Sequence, residues 1–276
     1  MDFSNKKLQR DLSVSIWLLA LTLMTLSMII IGGLTRLTDS GLSMVDWRPI
    51  IGTIPPLTNE AWLEVFDKYK STPEFKIVNK LITLNEFKYI FYWEWFHRFL
   101  ARCLGIVFLI PFTYFVFFKR ISFKTTIALI FVFLFGVFQA VVGWWMVKSG
   151  LNENPYVSSY KLVFHLLNAL IIFSILFWAT LDSFSANKII NNDNIPIGFF
   201  FKLSIILLFL TIITGGFMAG THSGQSFNTF PLMNNKLIPD DYYFEEYGIY
   251  NFFENTVAIN FNHRWLASFT FLFILS

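Results

Sequence analysis

The chain has 276 residues, of which 55% are hydrophobic, 20% aromatic and only 14% charged, with a formal net charge of +3. Soluble domains carry about 25% charged residues, so this is the composition of a membrane protein. The small charge, with no basic tract, excludes a nucleic-acid partner, and the single cysteine, Cys103, excludes both an internal disulfide and a cysteine-built metal centre.

Six runs reach the roughly 20 apolar residues a helix needs to cross a bilayer. They lie near 14–33, 90–117, 125–147, 159–181, 198–219 and 258–276. The first follows "NKKLQRD" and leads into "GGLTRLTDSG" rather than a small-residue cleavage site, so it reads as an uncleaved anchor. In the loop after it, Trp62, Val65, Phe66 and Tyr69 share one helical face, which predicts a short helix lying on the outer surface, with Glu64 and Lys68 paired on its wet side. In the third run, Gly136, Gln139 and Gly143 fall on roughly one face, suited to close approach of a helix or a macrocycle, and Trp144–Trp145 suit the interfacial belt. The segments 1–14, 118–124 and 182–197 hold seven Lys and Arg in 37 residues (Lys6, Lys7, Arg10, Lys119, Arg120, Lys124, Lys188), against nine in the 105 residues of the opposite segments. The positive-inside rule therefore places the N-terminus in the cytoplasm, or in the matrix of an organelle. The last run stops at "FLFILS" without a polar flank, and the expectation is a chain that continues beyond Ser276.

Two stretches recur. "GGLTRLTDSGLSM" at 32–44 is echoed by "GGFMAGTHSGQSF" at 215–227, an offset of 183, and "HRFLA" at 97–101 by "HRWLA" at 263–267, an offset of 166. Spans 1 and 2 then correspond to spans 5 and 6, so the repeat unit is four helices and the copies run parallel. The expected fold is an all-α multi-pass membrane protein of two pseudo-symmetric four-helix bundles. Residues 1–185 would form the first, and residues 186–276 the first two helices of an incomplete second.

Three histidines sit about 10 Å inside spans that run in the same direction: His97, His165 and His263. A lone membrane histidine commonly just hydrogen-bonds a neighbouring helix. Three at one depth, two in repeat-equivalent positions, point instead to axial ligation of haem iron within helix bundles. His97 and His165 would hold one haem; His263 would hold a second, its partner falling past residue 276. His222 lies in a loop opposite Asp39 and reads as a surface or haem-edge residue. Glu94 stands one turn before His97, whereas its repeat equivalent is Asn260. A carboxylate beside only one centre suits a proton-handling role there; the alternative is a structural pair with Arg98. Arg98 and Arg264 occur in both copies and suit haem propionates, while Arg102 has no basic counterpart. The readings open at this point are a haem-acting oxidoreductase, a diheme cytochrome b-type electron carrier, and a transporter without haem.

The motifs "GGLTRLTDSGLSMVDWRPIIGTIPP", "EFKYIFYWEWFHR", "VVGWWMVKSGL", "NTFPLM" and "NHRW" together resemble the haem A synthase family, in the branch shared by mitochondria and related bacteria. The resemblance covers essentially the whole chain. It implies eight spans in two bundles and oxidation of the methyl group at porphyrin position eight of haem O to a formyl group, giving haem A for cytochrome oxidase. It places His97 and His165 on the substrate-haem ligand positions, Glu94 on an essential carboxylate, and His263 on one ligand of haem b. It also implies delivery of haem O by a haem O synthase, an electron acceptor it does not name, membrane lipid around the helices and a possible homo-oligomer. The short N-terminus without an Arg/Ser-rich presequence favours the inner membrane of a bacterium over that of a mitochondrion.

Overall fold

The computed structural model describes residues 11–46, 51–152, 155–185 and 198–276. Lys6, Lys7, Arg10 and Lys188, used above for orientation, lie outside the described residues. The helices are α1 (Leu12–Leu37), α2 (Asn59–Lys70), α3 (Pro73–Ile77), α4 (Leu84–Phe117), α5 (Phe123–Asn152), α6 (Ser159–Ser185), α7 (Phe199–Gly220), α8 (Asn251–Glu254) and α9 (Thr256–Leu275). Among the described residues there is no strand, only an isolated bridge between Met233 and Lys236.

All six expected spans are helices, and five of them (α1, α4, α5, α6 and α7) are long and apolar enough to cross a membrane. Their outward faces carry exposed Ile16, Leu23, Ile30, Ile110 and Phe131, the surface expected where lipid is the solvent. The sixth, α9, is less apolar, because Asn260, Asn262, His263 and Arg264 fill its first half.

Helix α4 begins six residues earlier than the hydropathy predicts. Thr83 and Glu86 form a capping box: Thr83 Oγ1 accepts from the Glu86 amide at 3.3 Å, and Glu86 Oε2 accepts from the Thr83 amide at 2.8 Å. At 34 residues the helix exceeds the length a bilayer crossing needs, and its extra turns receive α2. This corrects the expected surface helix. The apolar face of α2 does not lie in the interface: Trp62, Phe66 and Tyr69 are buried in one cluster with Met44, Phe87, Ile90 and Phe91. The expected Glu64–Lys68 pair does form on the exposed side, at 2.9 Å, with Asp46 sharing the ammonium.

The chain divides into two compact units: residues 1–156 with 168–192, and residues 157–167 with 193–276. In the first, α1, α4, α5 and α6 surround a core that includes Trp17, Leu18, Leu21, Phe108, Leu129, Ile172 and Leu176. Several buried polar groups there pair between helices. The Thr22 and Thr180 hydroxyls meet at 2.9 Å, and Asn168 Nδ2 donates to Phe135 O at 3.0 Å and to Gln139 Oε1 at 2.5 Å. Gln139, singled out above, therefore joins α5 to α6. In the second unit Val163, Phe217 and Ile259 form the buried centre. Gly220 lets α7 close on α6, since a Cβ there would stand 2.7 Å from Ser159 Cα.

Candidate functional site

In the first unit α1 and α4 pack together and bring Gly32 against His97. A Cβ on Gly32 would sit 3.3 Å from His97 Nε2, so a glycine at this point gives the imidazole its room. One turn earlier on α4, Glu94 is 3% exposed and holds the loop after α1. Its Oε2 accepts from Ser43 Oγ at 2.7 Å and from the Met44 amide at 2.8 Å. Its Oε1 is ion-paired with Arg98, four residues on. The structural pairing weighed from sequence is thus formed. Removing one partner of such a buried pair costs about 3–5 kcal/mol, because the other charge is left uncompensated. The Ser43 hydroxyl has two further acceptors in reach, Ser40 O at 3.3 Å and Ile90 O at 3.5 Å.

The second unit carries the same contact. A Cβ on Gly215 would sit 3.0 Å from His263 Cε1. Asn260, the counterpart of Glu94, donates to Ser223 O at 2.5 Å, so it too ties its helix to the loop after the preceding span. Its own Oδ1 is buried with no hydrogen-bond partner among the described residues. Arg264 points both amino groups at loop carbonyls, Thr229 O at 2.5 Å and Phe227 O. Where α1 and α7 end, the backbone repeats as well. Asp39 and His222 both adopt left-handed φ, 47° and 55°, and the serines that follow, Ser40 and Ser223, are fully buried. Asp and His are among the side chains that tolerate this region. His222 is therefore a helix-ending turn residue.

His97 lies in the first unit, while His165 lies on α6 within the 157–167 stretch that belongs to the second. Arg102 is a partly buried neighbour of Arg98 on α4. Among the described residues no group of three or more His, Cys, Asp and Glu could hold a bare metal ion. Separated imidazoles instead suit a metal that brings its equatorial ligands with it. The His97 and His263 rings are each met by a glycine, and His263 Nδ1 is 3.0 Å from Thr214 Oγ1. A second nitrogen held by a hydrogen bond is the usual condition of a ligating histidine. These residues fit axial ligation of haem.

Sequence reasoning passed over Glu74. It sits in the first turn of α3 after the N-cap Thr72 and Pro73, an ordinary place for an exposed acid. Instead it is 5% exposed, with Oε2 lacking a hydrogen-bond partner among the described residues. Burial pushes its carboxyl up to about 8, against the lowering effect of the Tyr69 hydroxyl; the negative charge of Glu94 adds to the rise.

The family model described as COX15-CtaA, cytochrome oxidase assembly protein, matches residues 15–276. A protein named heme A synthase from Nitrosomonas eutropha is 42% identical over 96% of this chain and 75% of its own length. Its namesake from Nitrosospira multiformis is 42% identical over 92% of this chain and 72% of its own. The heme A synthase of Wolbachia pipientis from Culex pipiens is 44% identical over 92% of this chain and 77% of its own. No solved structure matches. A match this long, running through the His97 and His263 helices and their glycine partners, settles kinship: the chain belongs to the COX15-CtaA family of cytochrome oxidase assembly proteins.

Proposed function

We propose that this chain is a multi-pass membrane oxidoreductase of the haem A synthase type, acting on haem O. The observation that carries this is the 42% identity to a heme A synthase over 96% of the chain. In the reaction the methyl group at porphyrin position eight becomes a formyl group, a four-electron oxidation that balances with oxygen at the level of water as donor, four protons released and four electrons passed to an external acceptor. His97 and His165 are the residues we assign to the substrate iron, and His263 to a haem b. When bound, that second haem supplies a one-electron relay. Arg98 and Arg264 are assigned to the propionate side of each site. The bacterial relatives support the plasma membrane as the setting, the basic segments support a cytoplasmic N-terminus, and we assign the supply of haem O to a haem O synthase.

Glu94 is the residue to which proton handling falls. Three donors meet its two oxygens, two at Oε2 and one at Oε1, so Oε2 can take a proton only where one of its own donors withdraws. Oε1 keeps an open lone pair, but a proton there would stand beside the Arg98 guanidinium, which favours Oε2. At Oε2 the Ser43 hydroxyl can rotate onto Ser40 O or Ile90 O, leaving the Met44 amide in place and one lone pair open. Proton acceptance at Oε2, gated by a hydroxyl rotation, is the step this geometry supports best.

The test is to express the protein in a host that makes haem O but not haem A, and to separate the extracted haems by chromatography. Haem A is expected. Recovery of haem O and haem B alone, from a preparation with a normal Soret band, would mark a diheme electron carrier instead. A preparation with no Soret band would point to a transporter.

A further inference from the structure

We propose that Thr214 is a positioning residue for His263, accepting the Nδ1 proton and thereby fixing the tautomer that leaves Nε2 as the ligating atom. This rests on the reading of His263 as a haem ligand, and it adds a difference between the two centres that the histidines alone do not reveal.

The hydrogen bonding sets the direction. Thr214 Oγ1 lies 3.0 Å from Thr211 O, one turn back on α7, and 3.0 Å from His263 Nδ1. A hydroxyl has one proton to give, and the Thr211 carbonyl can only accept. With the hydroxyl proton on that carbonyl, a common back-bond for threonine in a helix, Oγ1 offers its lone pairs to Nδ1–H. Neutral imidazole with its proton on Nδ1 carries a lone pair on Nε2, the form that binds iron. Next along α7, a Cβ on Gly215 would stand 3.0 Å from His263 Cε1, and the Thr211 carbonyl also faces the imidazole, so α7 meets the ring through a hydroxyl, a carbonyl and a close glycine.

The first centre lacks this device. At the repeat offset the position of Thr214 is taken by Ile31, whose side chain has nothing to donate or accept. Gly32 still faces His97, so the cradle recurs while the tether does not. A ring tied by its second nitrogen keeps its orientation through many redox cycles, as a resident relay requires. A ring without that tie from α1 can turn as one macrocycle leaves and another enters, as a substrate site requires. Electron donation from Thr214 to Nδ1–H also makes His263 the more basic ligand, which favours ferric iron and lowers the potential of its haem.

The experiment uses the full-length protein purified with its haems, in three variants. Thr214→Val removes the hydroxyl at nearly constant shape, Thr214→Ser restores it, and His263→Ala removes the ligand. Potentiometric titration and electron paramagnetic resonance are read on each. The expected result is an upward shift in the midpoint potential of one haem, with altered low-spin g values, in Thr214→Val. Thr214→Ser should return both to wild type, and His263→Ala should abolish that same signal. A Thr214→Val protein with unchanged potential and g values overturns the proposal while leaving His263 as ligand. Retention of every haem signal in His263→Ala overturns the ligand reading, and the proposal with it.

Discussion

Glu74 offers a pH experiment with a definite sign. Its carboxyl titrates near 8 when folded, against an ordinary value of 4.5, chiefly because burial disfavours the charged form. The fold therefore holds the proton more tightly than the unfolded chain between those two values. Stability is fully present below about 4.5, declines as pH rises, and levels off above about 8. At about 1.4 kcal/mol per tenfold change in proton affinity, the full penalty on ionisation is roughly 5 kcal/mol. The groups that face Glu74 are Tyr69 on α2, Glu94 on α4, and Arg36 and Asp39 at the end of α1. Of these Glu94 and Asp39 oppose ionisation, whereas Arg36 and the Tyr69 hydroxyl favour it. The loss should fall on the packing of α2 and α3 over α4, since Tyr69, whose hydroxyl faces this carboxyl, packs its ring on Phe75 and Phe87. Hydrogen–deuterium exchange of residues 59–77 in detergent, corrected for intrinsic rates, should show protection at pH 6 that is much weaker at pH 9. Glu74→Gln keeps the shape, cannot ionise, and should keep its protection at both. Equal protection of the wild-type loop at pH 6 and pH 9 would refute the reasoning, as would a Gln variant that loosens in step with the wild type.

Two further outcomes follow from the site geometry. Glu94→Ala should leave Arg98 a buried uncompensated charge and strip the Met44 amide of its acceptor, a loss of about 3–5 kcal/mol, read as protease cleavage within residues 38–46 that the wild type resists. Gly215→Ala puts a methyl 3.0 Å from His263 Cε1 and should weaken one low-spin haem signal, while Gly33→Ala, whose Cβ meets nothing within 4 Å, should leave the spectrum unchanged.

The spans were legible because about 20 apolar residues in a row leave few alternatives. His97 and His263 were legible because "HRFLA" and "HRWLA" duplicate them, and each meets the glycine that the other echo, "GG", had marked. The early start of α4 was also there to be read: Thr83–Leu–Asn–Glu86 is the capping-box pattern, hidden by attention to hydropathy. The docking of α2 was not. An amphipathic face at helical spacing looks the same whether lipid or protein covers it, and only the fold supplies Phe87 and Phe91. The partners of Glu94 lie 51 and 50 residues back in the chain, at Ser43 and Met44, a distance over which no local pattern operates. Glu74 was hidden for a related reason, since an acid in the first turn of a helix is expected to face water. Thr214 escaped because the repeat draws attention to what is shared, and this threonine is a point of difference.

The central claim, that Glu94 beside His97 takes part in oxidising haem O, is tested most directly by Glu94→Gln. This change keeps the side chain's shape and one acceptor oxygen while removing the charge. In a host supplied with haem O, the variant should retain the Soret band and the low-spin signal assigned to His263, yet yield haem O with little or no haem A on extraction. Haem A at the wild-type level from a fully folded Glu94→Gln protein would contradict the account.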